Sequence, residues 1–175
     1  MNNIIRILFF VITLMLFPNF TLAEIKISYF NVDKVMQQSN VGKSIISQLE
    51  KIDKSNIKSF KDQEKKIKDF ETDLISKKNI ISKEDFKKEV EKLTNKVKNY
   101  KQERSKKIQE VTAMRVKATS KTLKLMNPIL AKYAKENEIS IILSNKSVII
   151  GKTELDITLA IMDLVNKEIK SFTIK

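Results

Sequence analysis

The sequence predicts an α+β fold that is mainly α: a small strand-containing body from which one long antiparallel helical hairpin projects. Three observations lead there. Between Val41 and Ser171 the only glycines and prolines are Gly42, Pro128 and Gly151, and so few breakers over such a length call for very long helices. Within that length Phe86, Val90, Leu93, Val97 and Tyr100 follow one another at alternating steps of four and three, the spacing of a coiled-coil seam. Strand-like segments lie only near the two ends, in "EIKISYF" and in "ISIILS" with "SVIIG".

The first segment is expected to be removed. Met1 to Arg6 is short and basic, Ile7 to Phe17 is an apolar run, and "TLA" places small residues at Thr21 and Ala23. That is the three-part pattern of a secretory signal peptide, with cleavage between Ala23 and Glu24. The apolar run is too short for a membrane-spanning helix, which needs roughly 18 or more such residues. Residues 1–23 are therefore assigned to the signal, residues 24–40 and 120–175 to the body, and residues 41–119 to the hairpin arm, with its tip near 78–83.

The elements follow in order. Ile25, Ile27 and Tyr29 alternate with Lys26 and Ser28, so a strand is expected over 25–30. "NVDKVMQQS" reads as a short helix that Asn31 can cap. From Val41 to Lys77 the apolar residues Ile46, Leu49, Ile57, Phe60, Ile67, Phe70 and Leu74 form a helical stripe, with Asp53, Glu64 and Glu71 on or beside it. At about 1.5 Å per residue such an arm reaches on the order of 55 Å. "KKNIIS" interrupts the stripe, and Ser82 with Asp85 three residues on forms a capping box for the returning helix. Ile108, Val111, Met114 and Ala118 extend the second seam; Pro128 is expected to break or bend that helix, and "ILAKYAKENE" to carry it to about Glu136. Strands are expected over 139–143 and 147–150, paired as a hairpin, followed by a helix over 156–170 capped by Asp156. Three short strands and two short helices bury little apolar surface by themselves, so association of several chains is expected.

The chain of 175 residues carries 34 basic side chains against 21 acidic ones, a net charge of +13; loss of the signal would take only Arg6 from the basic count. Such a balance points to acidic partners, such as lipid head groups, nucleic acid or anionic protein segments. The cations are nearly all lysine, a solvated point charge that makes poor bidentate contacts. From Val111 to Lys135 there is no acidic residue, while Arg115, Lys117, Lys121, Lys124, Lys132 and Lys135 all occur. With no cysteine and no histidine, the chain has no disulfide, thiolate site or imidazole base.

"NVGKS" at Asn40 to Ser44 looks like the end of a phosphate-binding loop. Such a loop needs a glycine five positions before the Gly-Lys-Ser, where this chain has Gln37, and it follows a strand rather than a helix. Gly42 is read instead as the turn between the short helix and the long one, and no nucleotide or other cofactor is expected. The carboxylate pairs Asp62 with Glu64 and Glu84 with Asp85 lie among lysines, with no apolar pocket to raise a pKa. No serine sits in a nucleophile elbow. The chain is not expected to be an enzyme.

At both ends the sequence resembles the OmpH/Skp family of periplasmic chaperones. The resemblance rests on "ISYFNVDKVMQQSNVGKSIISQLEK", on "NPILAKYAKENEISIILSNKSVIIG" and on the following "LDITLAIMDLVN", of which the "DIT" segment is the most specific. It implies a homotrimer whose strands build a β-barrel body, with three helical hairpins as tentacles around a cavity. It further implies a periplasmic holdase that works without ATP and encloses unfolded outer-membrane proteins before their insertion. Residues expected to face such a passenger are Ile52, Ile75, Ile80 and Ile81, joined by Lys77, Lys78, Lys83, Lys87 and Lys88 near the tip. Phe60, Phe86, Leu93 and Val97 are expected to pack within the hairpin. Anionic lipid or lipopolysaccharide is a further partner that the charge would suit, although no residue here matches a lipopolysaccharide site of the family. The alternatives are a structural coiled-coil component of the envelope or of a secretion system, and a basic nucleic-acid binder.

Overall fold

The computed structural model describes residues 25–174. The signal segment and its cleavage point, Ala23–Glu24, lie outside the described residues. In chain order the elements are β1 (Ile27–Phe30), α1 (Val32–Gln38), α2 (Asn40–Ser76), α3 (Lys83–Glu136), β2 (Ile141–Ser144) and α4 (Thr158–Glu168). The fold is mainly helical. A two-stranded sheet and the helices α1 and α4 gather around the roots of α2 and α3, and the remainder of those two helices forms the projecting hairpin.

Local chemistry sets most of the boundaries. Asn31 caps α1, its side chain accepting from the Lys34 amide at 2.9 Å. One residue, Ser39, ends α1 and starts α2: its amide donates to the Val35 carbonyl and its side chain accepts from the Gly42 amide at 3.2 Å. At the tip, Lys77 to Ser82 reverse the chain. Ser82 Oγ accepts from the Asp85 amide at 3.1 Å and donates to the Asp85 carboxylate at 2.7 Å, which is the start of α3 that the capping box predicts.

The returning helix ends at Glu136, where "ILAKYAKENE" is expected to carry it, and it crosses Pro128 as one helix. Pro128 lies inside α3 and does not end it; the helix runs 54 residues, past the expected arm boundary at 119 and through the body to Glu136. Proline removes one helical hydrogen bond, but Met126 and Ile129 on either side of it are buried in the core, and that packing holds the helix across the gap.

The sheet also departs from the expectation. β1 and β2 pair in parallel, with Ile27 opposite Ile141 and Phe30 opposite Ser144. The expected strand over 147–150 is absent: Asn145–Ser147 form a 3-10 turn capped by Ser144, and no ladder follows. β-Branched residues favour an extended backbone, but a strand also needs a neighbour with free donors and acceptors. Here the 3-10 turn and the bends at Ile149 and Ile150 carry the backbone out of register with the open edge of β2, and the two side chains stand 99% and 91% exposed.

The core sits where the four helices meet. Val35 of α1, Val41, Ile45 and Leu49 of α2, Met126 and Ile129 of α3, and Ile161 and Val165 of α4 are all buried in one cluster. Asp156 does not cap α4 directly; its carboxylate accepts from the Thr158 amide at 2.9 Å and from the Thr158 hydroxyl. Thr158 Oγ1 in turn accepts from the Asn31 amide at 2.9 Å. The "DIT" segment thus fastens the last helix to the cap of the first, and Asn166 accepting from the Asn40 amide at 2.7 Å fastens it to the start of α2.

Gly42 is the tight point of this junction. A Cβ there would lie 1.9 Å from the Met36 carbonyl oxygen, a backbone atom with nowhere to go. In an open helix Gly→Ala stabilises by up to about 1 kcal/mol; here the sign reverses. Gly42→Ala is expected to cost about 3 kcal/mol as an overpacking substitution, read as a lower urea midpoint. An unchanged or raised midpoint would contradict the close approach.

Candidate functional site

The structure places none of the candidate catalytic groups in a pocket. Gly42, Lys43 and Ser44 are in the first turns of α2, where the glycine serves the helix–helix corner. Asp62, Glu64, Glu84 and Asp85 are all exposed. Among the described residues no cluster of histidine, cysteine or carboxylate side chains could hold a metal ion, and no helix is long and apolar enough to cross a membrane. What the chain offers is surface, distributed over the arm, its tip and the base.

The arm is a coiled coil with a polar middle. Beyond the root, the half-buried and buried positions of α2 are Asp53, Asn56, Phe60, Gln63, Ile67, Phe70 and Leu74, an unbroken alternation of threes and fours. Ile57, expected on the seam, is 54% exposed, and Ile108 on the partner helix is 58% exposed. The heptad register rather than the apolar character decides which side chains face inward, so Asn56 and Lys107 occupy seam-side positions while the two isoleucines point outward. Phe60 packs edge-on against Tyr100, with ring centroids 6.1 Å apart. Phe86, Leu93 and Val97 are half-buried along the same seam.

Polar contacts tie the middle of the two helices together. The Tyr100 hydroxyl donates to the Glu64 carboxylate, and Arg104 lies 3.6 Å from the same carboxylate. Gln63 donates to Glu103 at 3.2 Å. The hydrogen bond to Glu64 pushes the Tyr100 hydroxyl above its ordinary pKa. On α3 the Lys107 ammonium bonds Glu110 at 2.9 Å, which holds the Glu110 carboxyl below the usual range and raises Lys107. All these groups are solvent-screened, and exposed pairs add little stability. The middle of the arm is therefore held more loosely than its two ends, where Leu49, Leu74 and Val111 are buried.

At the tip, Ile75 and Ile80 are exposed, and Ile81 is half-buried. Lys78, Lys83, Lys87 and Lys88 are exposed around them, and Lys77 is paired with Asp73 at 2.6 Å. Ile52 is elsewhere: it is half-buried at the root of the arm, packed on the body's core. The acid-free stretch of α3 presents Arg115, Lys117, Lys121, Lys124, Lys132 and Lys135 at the surface. At the base, Ile25, Ile27, Ile141, Ile149, Ile150 and Leu159 are exposed large apolar side chains on and beside the sheet. Sequence spacing hid this group, because in a strand reading each isoleucine counts as half of a buried ladder. The weak signal that remained was the shortage of partner strands.

A family model described as outer membrane protein (OmpH-like) matches residues 26–165, from β1 into α4. Among solved structures, one of a candidate outer membrane chaperone (OmpH-like) from Caulobacter crescentus CB15 superposes with a TM-score of 0.78 at 20% sequence identity, covering 84% of this chain and 87% of that one. At that identity the likeness concerns the fold. No curated protein matches the chain in sequence.

The polar seam makes a measurable difference within the arm. Replacing Asn56 and Gln63 together by leucine buries apolar surface worth about 1 kcal/mol at each half-covered position. Amide hydrogen exchange over residues 53–67 is expected to slow by at least about fivefold, while exchange around Leu74 stays as it was. Equal protection before and after the change would mean that the middle of the arm is already as tight as its ends.

Proposed function

The chain belongs to the OmpH-like family, and on that premise we propose that it is a chaperone: an ATP-independent periplasmic holdase that encloses unfolded outer-membrane proteins until they insert. The observation that carries the proposal is the shape and its surface. Two helices of 37 and 54 residues extend from a small base, giving an arm on the order of 55 Å long that has lysines and exposed isoleucines at its tip. Nothing in a compact body of this size requires such a reach.

An unfolded β-barrel protein is exposed strand and alternating apolar side chains, which aggregate by edge pairing. A passenger of that kind is best held by many weak contacts whose sum is large while each exchanges rapidly. Ile75, Ile80 and Ile81 supply apolar contacts at the arm's end, and Lys77, Lys78, Lys83, Lys87 and Lys88 supply long-range attraction for acidic stretches. Ile52, packed at the root, is assigned to holding the arm on the body. Hydrolysis has no part in such a scheme: binding and release follow from the passenger's own gain in stability on folding into the membrane.

Enclosure takes more than one arm, and the base supports self-association. A sheet of two short strands is marginal alone, and the outer edge of β2 is free among the described residues. Ile149 and Ile150, 99% and 91% exposed, stand in a bend of the body that no part of the described chain covers. A second copy can offer strand to strand and cover these side chains; the homotrimer with a barrel base is the form we assign. Residues 1–23, as a cleaved signal, would deliver the chain to the periplasm. Anionic lipid or lipopolysaccharide is a secondary partner for the acid-free face of α3.

Two measurements test this reading. A urea-denatured porin diluted into buffer aggregates, and the mature protein at a few-fold excess is expected to abolish the light scattering; Ile75→Ser with Ile80→Ser should weaken the bound complex by about threefold, as loss of two among many contacts. Unsuppressed scattering would remove the chaperone assignment. In sedimentation, Ile149→Asp with Ile150→Asp is expected to convert a trimer to monomers, since buried unpaired carboxylates are costly. A single chain in the unaltered protein would overturn the assembly.

A further inference from the structure

Beyond α4 the chain does not trail into solvent. Residues 171–174 run extended along the root of the arm, with Ser171 and Thr173 exposed and Phe172 and Ile174 half-buried, an alternation of period two. Phe172 and Ile174 join the body's core cluster, alongside Met114 and the buried Ala118 of α3. The Lys121 ammonium sits over the Phe172 ring, 4.0 Å from its centroid. Gln48 of α2 supplies the polar recognition. Its Nε2 donates to the Phe172 carbonyl at 3.0 Å, and its Oε1 accepts from the Ile174 amide at 3.1 Å.

That pair of bonds reads backbone and no side chain. A primary amide has the same donor and acceptor as a peptide unit, so Gln48 treats the segment as a neighbouring strand would. With apolar ground on one side and backbone reading on the other, the root of the arm recognises an extended peptide with large apolar residues at alternate positions. An aromatic residue under a lysine fits the first of those positions.

We infer that this groove is a strand-docking site, occupied in the resting protein by the chain's own residues 171–174, and that an extended segment of an unfolded outer-membrane polypeptide displaces them. The inference rests on the chaperone reading and adds to it a specific seat and a built-in competitor. The competitor suits its task. It has only two packed side chains and two hydrogen bonds to surrender, and its short tether to α4 keeps it at an effective concentration in the millimolar range. A groove filled in this way rejects isolated weak peptides and yields to a long passenger that is already held elsewhere. Its occupancy lowers the apparent affinity for passengers by the fraction of time the groove is closed.

The absence of cysteine gives a clean test in the full mature chain. Thr173→Cys, at an exposed position, takes a nitroxide spin label whose spectrum reports the mobility of the tail. The label is expected to be restricted in the free protein and to gain a mobile component on saturation with a urea-diluted porin. Gln48→Ala should make it mobile from the start. Phe172→Ser, which empties the groove and leaves its walls, should tighten porin binding by about threefold, and adding Gln48→Ala should cancel the gain. A label that is mobile in the otherwise unaltered chain, or that stays restricted while bound porin is kept from scattering, overturns the docking site and leaves the chaperone assignment standing. Failure to bind porin at all overturns both.

Discussion

The arm can only be as well directed as the small body that holds it, and the direction is set where α1 turns into α2. Ser39 is shared by the two helices, and Gly42 lets the Met36 carbonyl approach to a distance that any side chain would forbid. Everything else at the base is arranged around that corner. Val35 and Val41 flank it and are fully buried, Ile161 and Val165 of α4 close over it, and Met126 of α3 fills the space behind. A lever on the order of 55 Å magnifies any looseness at its pivot, so close packing here matters more than equal packing would at the tip.

The constraint explains the position of the polar links. Asn31, Asp156, Thr158, Asn40 and Asn166 sit at helix ends, where backbone amides lack helical partners; Thr158, oriented by Asp156, accepts from the Asn31 amide and Asn166 from the Asn40 amide, and so they join one element to another. Each such bond adds about 1 kcal/mol net, but their geometry fixes angles, which apolar contacts do not. Farther out, the arm changes character. Its seam carries Asp53, Asn56 and Gln63 on α2, and its cross-links are solvent-exposed pairs. The result is a rod that is firm at the root, compliant in the middle and closed again near Leu74. For the proposed holder of passengers of different size, such compliance is useful and costs no chemistry.

How far the sequence announced this depends on whether the deciding interaction is local. Helix lengths, the capping box at Ser82 and the corner at Gly42 were legible because breakers, caps and heptad steps act within a few residues. The body was read less well, since its decisions are made across more than a hundred residues. β2 pairs with β1 in parallel rather than folding back on 147–150, and no pattern inside "ISIILS" or "SVIIG" tells which neighbour a strand will find. Pro128 was overruled by tertiary packing, as propensities often are. Ile57 and Ile108 show the opposite limit: hydrophobicity suggested burial, but the three–four register turned both outward. Of the residues expected to face a passenger, the structure leaves Ile75 and Ile80 at the surface, while Ile52 is drawn into the root by its neighbours.

The exposed residues share one chemistry, and this connects the base, the groove and the passenger. The base leaves an open strand edge and exposed isoleucines; the root of the arm holds the segment 172–174 through the amide of Gln48. Both present what an unfolded β-barrel segment also presents, namely free backbone donors and acceptors with apolar side chains at alternate positions. A protein that binds such segments must keep its own from binding indiscriminately. The strand edge is satisfied best by identical copies, whose rigid bodies bring a complete edge at once and bind with the advantage of preorganisation. The groove is covered by a tethered tail, held by two packed side chains and two hydrogen bonds that the proposed passenger displaces. In the proposed scheme, permanent cover for the edge and removable cover for the groove divide one recognition chemistry between assembly and binding, and the division follows from how much of each surface its own chain can reach.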